Sequence, residues 1–194
     1  MSFGCFLFKI GRWNDAMLAQ KEVFKDRKRT LGNEHLDTIS AMHNLTTTLL
    51  RQGQLDEAAI MVRGVLEKRQ QILGDMHPDT IKAMSILANT LADQGQLGEA
   101  TGIQREVLKK SQQSLGDEHP HTILAMNNLA RTLSKQGQLD EAVGMMREVL
   151  EKRQRTFGDE HPDTITAMSN ISILLSASKA EQSMIPSSGK HSQK

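Results

Sequence analysis

Four short stretches of the chain gather the side chains that acid–base and metal chemistry use. They read Gly32-Asn-Glu-His35, Gly74-Asp-Met-His77, Gly116-Asp-Glu-His119 and Gly158-Asp-Glu-His161. Carboxylates beside an imidazole bind a metal or pass a proton only if they converge within a few ångströms. Three neighbours in one loop rarely encircle an ion, and equivalent residues of stacked helices stand about 10 Å apart. The expected role is therefore helix capping, with His35, His77, His119 and His161 as loop residues beside a helix start. No metal ligand set and no cofactor site is expected. HExxH and CxxC are both missing, and no Ser/His/acid or Cys/His set survives the same test. The SSGKHS of the tail ends like a phosphate loop, but Met184 stands where that loop needs glycine and no strand precedes it. Asn44-Leu-Thr and Asn170-Ile-Ser spell glycosylation sequons inside predicted helices, behind an opening that makes a poor signal peptide. An enzyme is disfavoured.

The elements that carry these residues repeat. LGNEHLDT begins at Leu31, LGDMHPDT at Leu73, LGDEHPHT at Leu115 and FGDEHPDT at Phe157, each 42 residues after the last. GRWNDA at Gly11, GQLDEA at Gly53, GQLGEA at Gly95 and GQLDEA at Gly137 keep the same step. Agreement between unconnected segments marks a repeat array. Within a block the apolar period is helical: Ile81, Met84, Leu87, Ala88 and Leu91 form one stripe, and Leu97, Ala100, Ile103, Val107 and Leu108 the next. Gly95 can end the first helix in the left-handed region, and Gly74, Gly116 and Gly158 repeat the stop after the second. Pro78, Pro120 and Pro162 suit a first helical turn. Each block is thus predicted as a helix of roughly 16 residues, a tight turn, a helix of roughly 18 and a loop. About eight helices result, counting a truncated first one.

Composition narrows the function. The 194 residues hold 24 Lys+Arg against 23 Asp+Glu, a formal charge of +1, so no global field attracts nucleic acid or anionic lipid. Aromatics are 3%, too few for a base-stacking surface or a β-sandwich. No apolar run is long enough to span a bilayer. A single cysteine, Cys5, leaves no disulfide framework and favours a reducing, cytoplasmic location. The basic run Lys25-Asp-Arg-Lys-Arg29, and the Glu-Lys-Arg triplets ending at Arg69 and Arg153, are expected on solvated outer helix ends.

A 42-residue helix–turn–helix with HPDT, MxNLA and QGQLDEA resembles the tetratricopeptide repeats of kinesin light chains and their relatives. The resemblance covers about residues 1–178. Its packing positions fall on Met42, Leu45, Thr46 and Leu49, then Met84, Leu87, Ala88 and Leu91, then Met126, Leu129, Ala130 and Leu133. Small residues at 46, 88, 130 and 172 would permit close helix approach. The fold implied is all-α: a right-handed superhelix of about eight antiparallel helices. Its segments would be a partial repeat at 1–31, repeats at 32–73, 74–115 and 116–157, a half repeat at 158–178 and a disordered tail at 179–194.

In such arrays the first helix of each pair lines a concave wall. The residues off the packing stripe are then the candidate peptide-binding groove: Asn44, Arg51, Lys82, Asn89, Asn127, Asn128, Arg131, Lys135 and Asn170. Asn can donate to and accept from a peptide backbone, and Arg131 and Lys135 suit an acidic ligand. Ile86 and Leu124 would add an apolar spot. The expected partner is a protein or peptide rather than nucleic acid or membrane, held by a non-catalytic scaffold. The competing reading is a regulatory or assembly segment of a larger nucleotide-binding signalling protein. It would dock or self-associate through an apolar opening edge formed by Phe3, Phe6, Leu7, Phe8 and Trp13.

Overall fold

The computed structural model describes residues 8 and 11–184, with side chains as far as residue 179. Eight helices and no strand occur among the described residues. They are α1 (Trp13–Leu31), α2 (Leu36–Arg51), α3 (Leu55–Leu73), α4 (Pro78–Asp93), α5 (Leu97–Leu115), α6 (Pro120–Lys135), α7 (Leu139–Phe157) and α8 (Pro162–Met184). The truncated opening helix and the apolar residues Phe3, Phe6 and Leu7 lie outside the described residues. The alternation is regular: α2, α4 and α6 have 16 residues, and α1, α3, α5 and α7 have 19. This is an all-α repeat array.

The turns show why these residues form these elements. Gly53, Gly95 and Gly137 adopt φ of 74°, 81° and 77°, where a Cβ would be strained. That conformation lets the following amides of Gln54, Gln96 and Gln138 donate to the carbonyls of Leu49, Leu91 and Leu133 at 3.0, 2.9 and 2.9 Å. The last carbonyls of each first helix are thereby satisfied, and the chain reverses in three residues. At the other end of each pair the histidines do the capping. Nδ1 of His35, His77, His119 and His161 accepts the amide of the residue two positions on at 3.1, 3.1, 3.1 and 3.2 Å. Pro78, Pro120 and Pro162 then occupy the first helical position, where a missing N–H costs nothing.

The chain divides into two compact units, residues 1–114 and 115–194. In the first, Leu45 and Leu49 of α2 pack with Met17 of α1 and Ala58 of α3. Leu87 and Leu91 of α4 pack with Val62 of α3 and Ala100 of α5. Ile39 meets Val65 and Ala83. Helices α2 and α4 thus each sit between the second helices before and after them. Full burial of such a side chain stabilises by about 1.5–3 kcal/mol. In the second unit, α7 packs against both α6 and α8. Thr46, Ala88 and Ala130 are fully buried, as close approach requires, whereas Ser172 is exposed. Among the described residues nothing follows α8 in the position that α3, α5 and α7 take after their own first helices. Helix α8 itself runs on to Met184, past the boundary at 178 read from the sequence, and residues 185–194 lie outside the described residues.

Lys25, Lys28 and Arg29 are exposed at a helix end, as expected, but for the two Glu-Lys-Arg triplets the solvated reading is corrected by the structure. Arg69 and Arg153 are buried, and each donates from Nη1 to the backbone carbonyl of Asp79 and Asp163 at 2.9 and 2.7 Å. Arg27 does the same to Asp37 at 2.8 Å. Lys152 is buried against Glu118 at 3.1 Å and Glu148 at 3.4 Å, and Lys68 pairs with Glu34. Burial lowers the Lys152 pKa, but its hydrogen bonds to and the charges of Glu118 and Glu148 outweigh that and raise it overall. The reason is reach: a Lys or Arg in the last turns of a second helix lays its stem along the neighbouring loop and sets its head on that loop's polar atoms. Within the basic run, Lys25 pairs with Glu22 and Arg29 with Asp26, so it is no uniform cationic patch.

Candidate functional site

The residues of the chemistry-rich loops are engaged in holding the fold. A histidine whose Nδ1 accepts an amide carries its proton on Nε2 and has no lone pair left for a metal. Asp75 and Asp159 accept from Gln70 and Gln154 at 3.0 and 2.8 Å, while Glu118 holds Lys152 and Arg155. Among the described residues no three His, Cys, Asp or Glu side chains come together as a metal site would require. No helix among them is long and apolar enough to cross a membrane.

The nine groove candidates divide between the two units and fare differently. In the first unit the four have different surroundings. Asn44 is half-buried and lines a cavity of about 30 Å³ with Gln20, Val23, Arg27 and Ala41, room for one water. Asn89 Oδ1 accepts from Gln104 Nε2 at 3.2 Å, turned toward α5. Arg51 and Lys82 are exposed. Near Lys82 sits His43, half-buried, with an Nδ1 that has no hydrogen-bond partner. Burial, then the charges of Arg69 and Lys82, push its pKa down to about 4 against a weaker opposing pull from Asp79. Ile86 is half-buried against the core around Leu87, and Leu124 is exposed.

In the second unit four of five candidates meet. Asn127, Arg131 and Lys135 of α6 and Asn170 of α8 line one open cleft of about 200 Å³, with Ser134, Met146, Ile173 and Leu174. These three α6 positions lie four residues apart, so one face of the helix presents them as a row. Met146 of α7 forms the floor, and Ile173 and Leu174 the apolar side. Two cations and no carboxylate line the cleft. The Oδ1 of Asn127 is buried without a hydrogen-bond partner. Asn128, the fifth candidate, is buried at 9% exposure and is not among the residues that line the cleft. An asparagine ladder through Asn128 is thereby corrected: position 128 lies on the side that packs.

The apolar wall of the cleft escaped the reading of the sequence, although a signal for it was there. Thr48, Thr90 and Thr132 occupy one repeat position, all buried; Thr90 and Thr132 donate to the carbonyl four residues back, and Thr48 to Gln20 Oε1 at 2.6 Å. The fourth block replaces that threonine by Leu174, and the neighbouring series Thr47, Asn89, Arg131 ends in Ile173. Two polar-to-apolar departures side by side mark the place where the surface changes character.

A family model described as a tetratricopeptide repeat matches residues 1–37, 38–79, 80–121 and 122–163. No curated protein matches the chain. Among solved structures, a Podosopora anserina protein of nearly identical TPR-like repeats, named for a kinesin light chain, superposes with a TM-score of 0.79 at 24% identity. That match covers 93% of this chain and 85% of the other. BtubC (BKLC) from P. vanneervenii gives 0.70 at 19% identity over 86% of this chain and 66% of that one. PlcR of Bacillus thuringiensis, solved in complex with the peptide PapR7 and DNA, gives 0.58 at 14% identity over 94% and 71%. At these identities the likeness is one of fold.

Proposed function

The chain belongs to the tetratricopeptide repeat family, and from that premise we propose that it is a non-catalytic protein-interaction scaffold. Its ligand is a polypeptide segment held in the cleft between α6 and α8. The observation that carries the reading is the meeting of Asn127, Arg131, Lys135 and Asn170 around one apolar floor. Arg131 and Lys135 favour an acidic side chain, the two asparagines hold backbone amides, and Met146, Ile173 and Leu174 take an aliphatic side chain beside the acid. PlcR, a protein of similar fold, is solved in complex with a peptide, which supports the reading by analogy. The single cysteine fits a cytoplasmic setting.

The test uses a displayed library of random peptides selected on the full chain. The best binder is then measured by fluorescence anisotropy. Selected sequences should carry Asp or Glu next to an aliphatic residue, and their affinity should fall as salt is raised, because part of the attraction is exposed charge. Arg131→Glu/Lys135→Glu should weaken binding at least about tenfold, the effect of losing roughly 1.4 kcal/mol. Lys109→Glu/Arg147→Glu, on exposed positions of second helices, should leave it unchanged. Binding that survives the first pair of changes and fails with the second would refute the cleft.

A further inference from the structure

Helix α8 carries the packing stripe of a first helix with one side open. Ile165 is 51% exposed, whereas its repeat mates Ile39, Ile81 and Ile123 are 1%, 6% and 2% exposed. Ser172 is exposed where Thr46, Ala88 and Ala130 are fully buried, and Met168, Ile171 and Leu175 beside them are only half-buried. Toward α7 the helix is packed, since Thr164 and Ala167 are fully buried and α7 lies against it. Burial on one side and exposure on the other is the signature of a missing neighbour, not of a helix that faces water by composition.

The molecule itself shows what covers such a stripe. Ile39 is met by Val65, Leu45 and Leu49 by Ala58, and Leu87 and Leu91 by Ala100 with Leu97 and Ile103 alongside. In every case the following second helix is part of the cover, beside the preceding second helix at Leu45, Leu49, Leu87 and Leu91 and the next first helix at Ile39, and those second helices share one spacing. Leu55, Ala58, Met61 and Val65 recur as Leu97, Ala100, Ile103 and Val107, and as Leu139, Ala142, Met145 and Val149. The pattern is Leu-x-x-Ala-x-x-(Met/Ile)-x-x-x-Val, one apolar stripe on an otherwise polar helix. Residues 185–194, with Pro186 and a run of polar side chains, do not carry it. Within residues 13–184 the helices that do carry it are already packed against their own first helices.

We propose that the open face of α8, at Ile165, Met168, Ile171, Ser172 and Leu175, is a docking surface for an amphipathic helix of a partner polypeptide bearing that spacing. The partner helix would extend the repeating interface by one element, its Ala against Ile171 and Leu175 and its Val against Ile165. This surface is separate from the α6–α8 cleft, because the cleft residues Asn170, Ile173 and Leu174 leave α8 on another side.

The test uses the full chain and, as the probe, a fluorescein-labelled peptide of residues 137–157, which spans α7. The expected result is saturable one-to-one binding by anisotropy. Ile165→Glu/Ser172→Arg, both at exposed positions that leave the fold intact by circular dichroism, should weaken it at least about tenfold. Ala142→Glu/Val149→Glu in the peptide should do the same, and Arg131→Glu/Lys135→Glu in the chain should not. Absence of saturable binding, or loss with the cleft pair but not with the α8 pair, overturns the proposal. So does light scattering that shows a dimer of the chain alone which Ile165→Glu returns to monomer, since a second copy would then be the occupant.

Discussion

The loops and the α6–α8 cleft draw on the same polar residue types, and they differ in how the repeats treat each position. At the loops the blocks largely agree: four histidines accept four amides, and Arg27, Arg69 and Arg153 clamp three carbonyls, with Ser111 the departure in the remaining block. Facing the cleft, the blocks vary more: positions 43, 85, 127 and 169 read His, Ser, Asn and Ser, and positions 51, 93 and 135 read Arg, Asp and Lys, although the asparagine of position 170 recurs at 44 and 128. Packing and capping impose one solution wherever the same geometry recurs, so repetition marks residues engaged by the fold. Where no such constraint acts, composition is free to serve a ligand. In a repeat array, chemical promise in a motif is therefore a weaker guide to function than variation at an exposed position.

That contrast can be broken most forcefully at the repeated packing positions. Ala130→Trp, at a site with no exposed surface, should destabilise by about 3 kcal/mol or more, since overpacking alone typically costs about 1–3 kcal/mol. An unchanged urea melt would mean that position 130 does not lie between helices. Next comes Arg69→Glu, which removes a buried donor and sets a carboxylate beside the Asp79 carbonyl. A loss of about 2–3 kcal/mol is expected, against almost none for Lys109→Glu on an exposed position. Equal melts for the two variants would contradict the clamp.

A pH series sharpens the comparison from the variable side. Folded His43 titrates at about 4 against 6.5 for the ordinary side chain, so between those values the unfolded chain binds more protons. Stability should be intact above about pH 6.5 and fall as the pH drops toward 4, by about 1–2 kcal/mol once screening at a half-exposed group is allowed for. His43→Asn should flatten that part of the profile, and a slope left unchanged would remove His43 as its source. The smallest structural effect belongs to a single cap. His77→Ala should cost about 1 kcal/mol, and His77→Asn, which can accept the same amide, should restore most of it.

Much of the fold was readable from spacing, because helix length, the Gly-Gln turn and the His-Pro start are local and each leaves a mark at every 42nd residue. The outer faces were harder. Arg69, Arg153 and Lys152 read as solvated helix ends, since sequence gives a side chain's type and not the loop it reaches. Asn128 looked like its repeat mates Asn44 and Asn170 but turned into the packing. The cleft was half visible: its polar row follows from helical periodicity in α6. Its apolar wall needed Ile173 and Leu174 to be compared with Thr47 and Thr48 rather than judged alone.

The central claim is that the row on α6 and the apolar side of α8 act together on one ligand. Titrating the selected acidic peptide into isotope-labelled chain and following amide shifts by NMR tests it directly. The account predicts shifts concentrated at Asn127, Arg131, Lys135, Asn170 and Ile173, abolished in Arg131→Glu/Lys135→Glu, with the loop amides of Asp79, His121 and Asp163 unmoved. Shifts centred on the loops, or undiminished in the double variant, would contradict it.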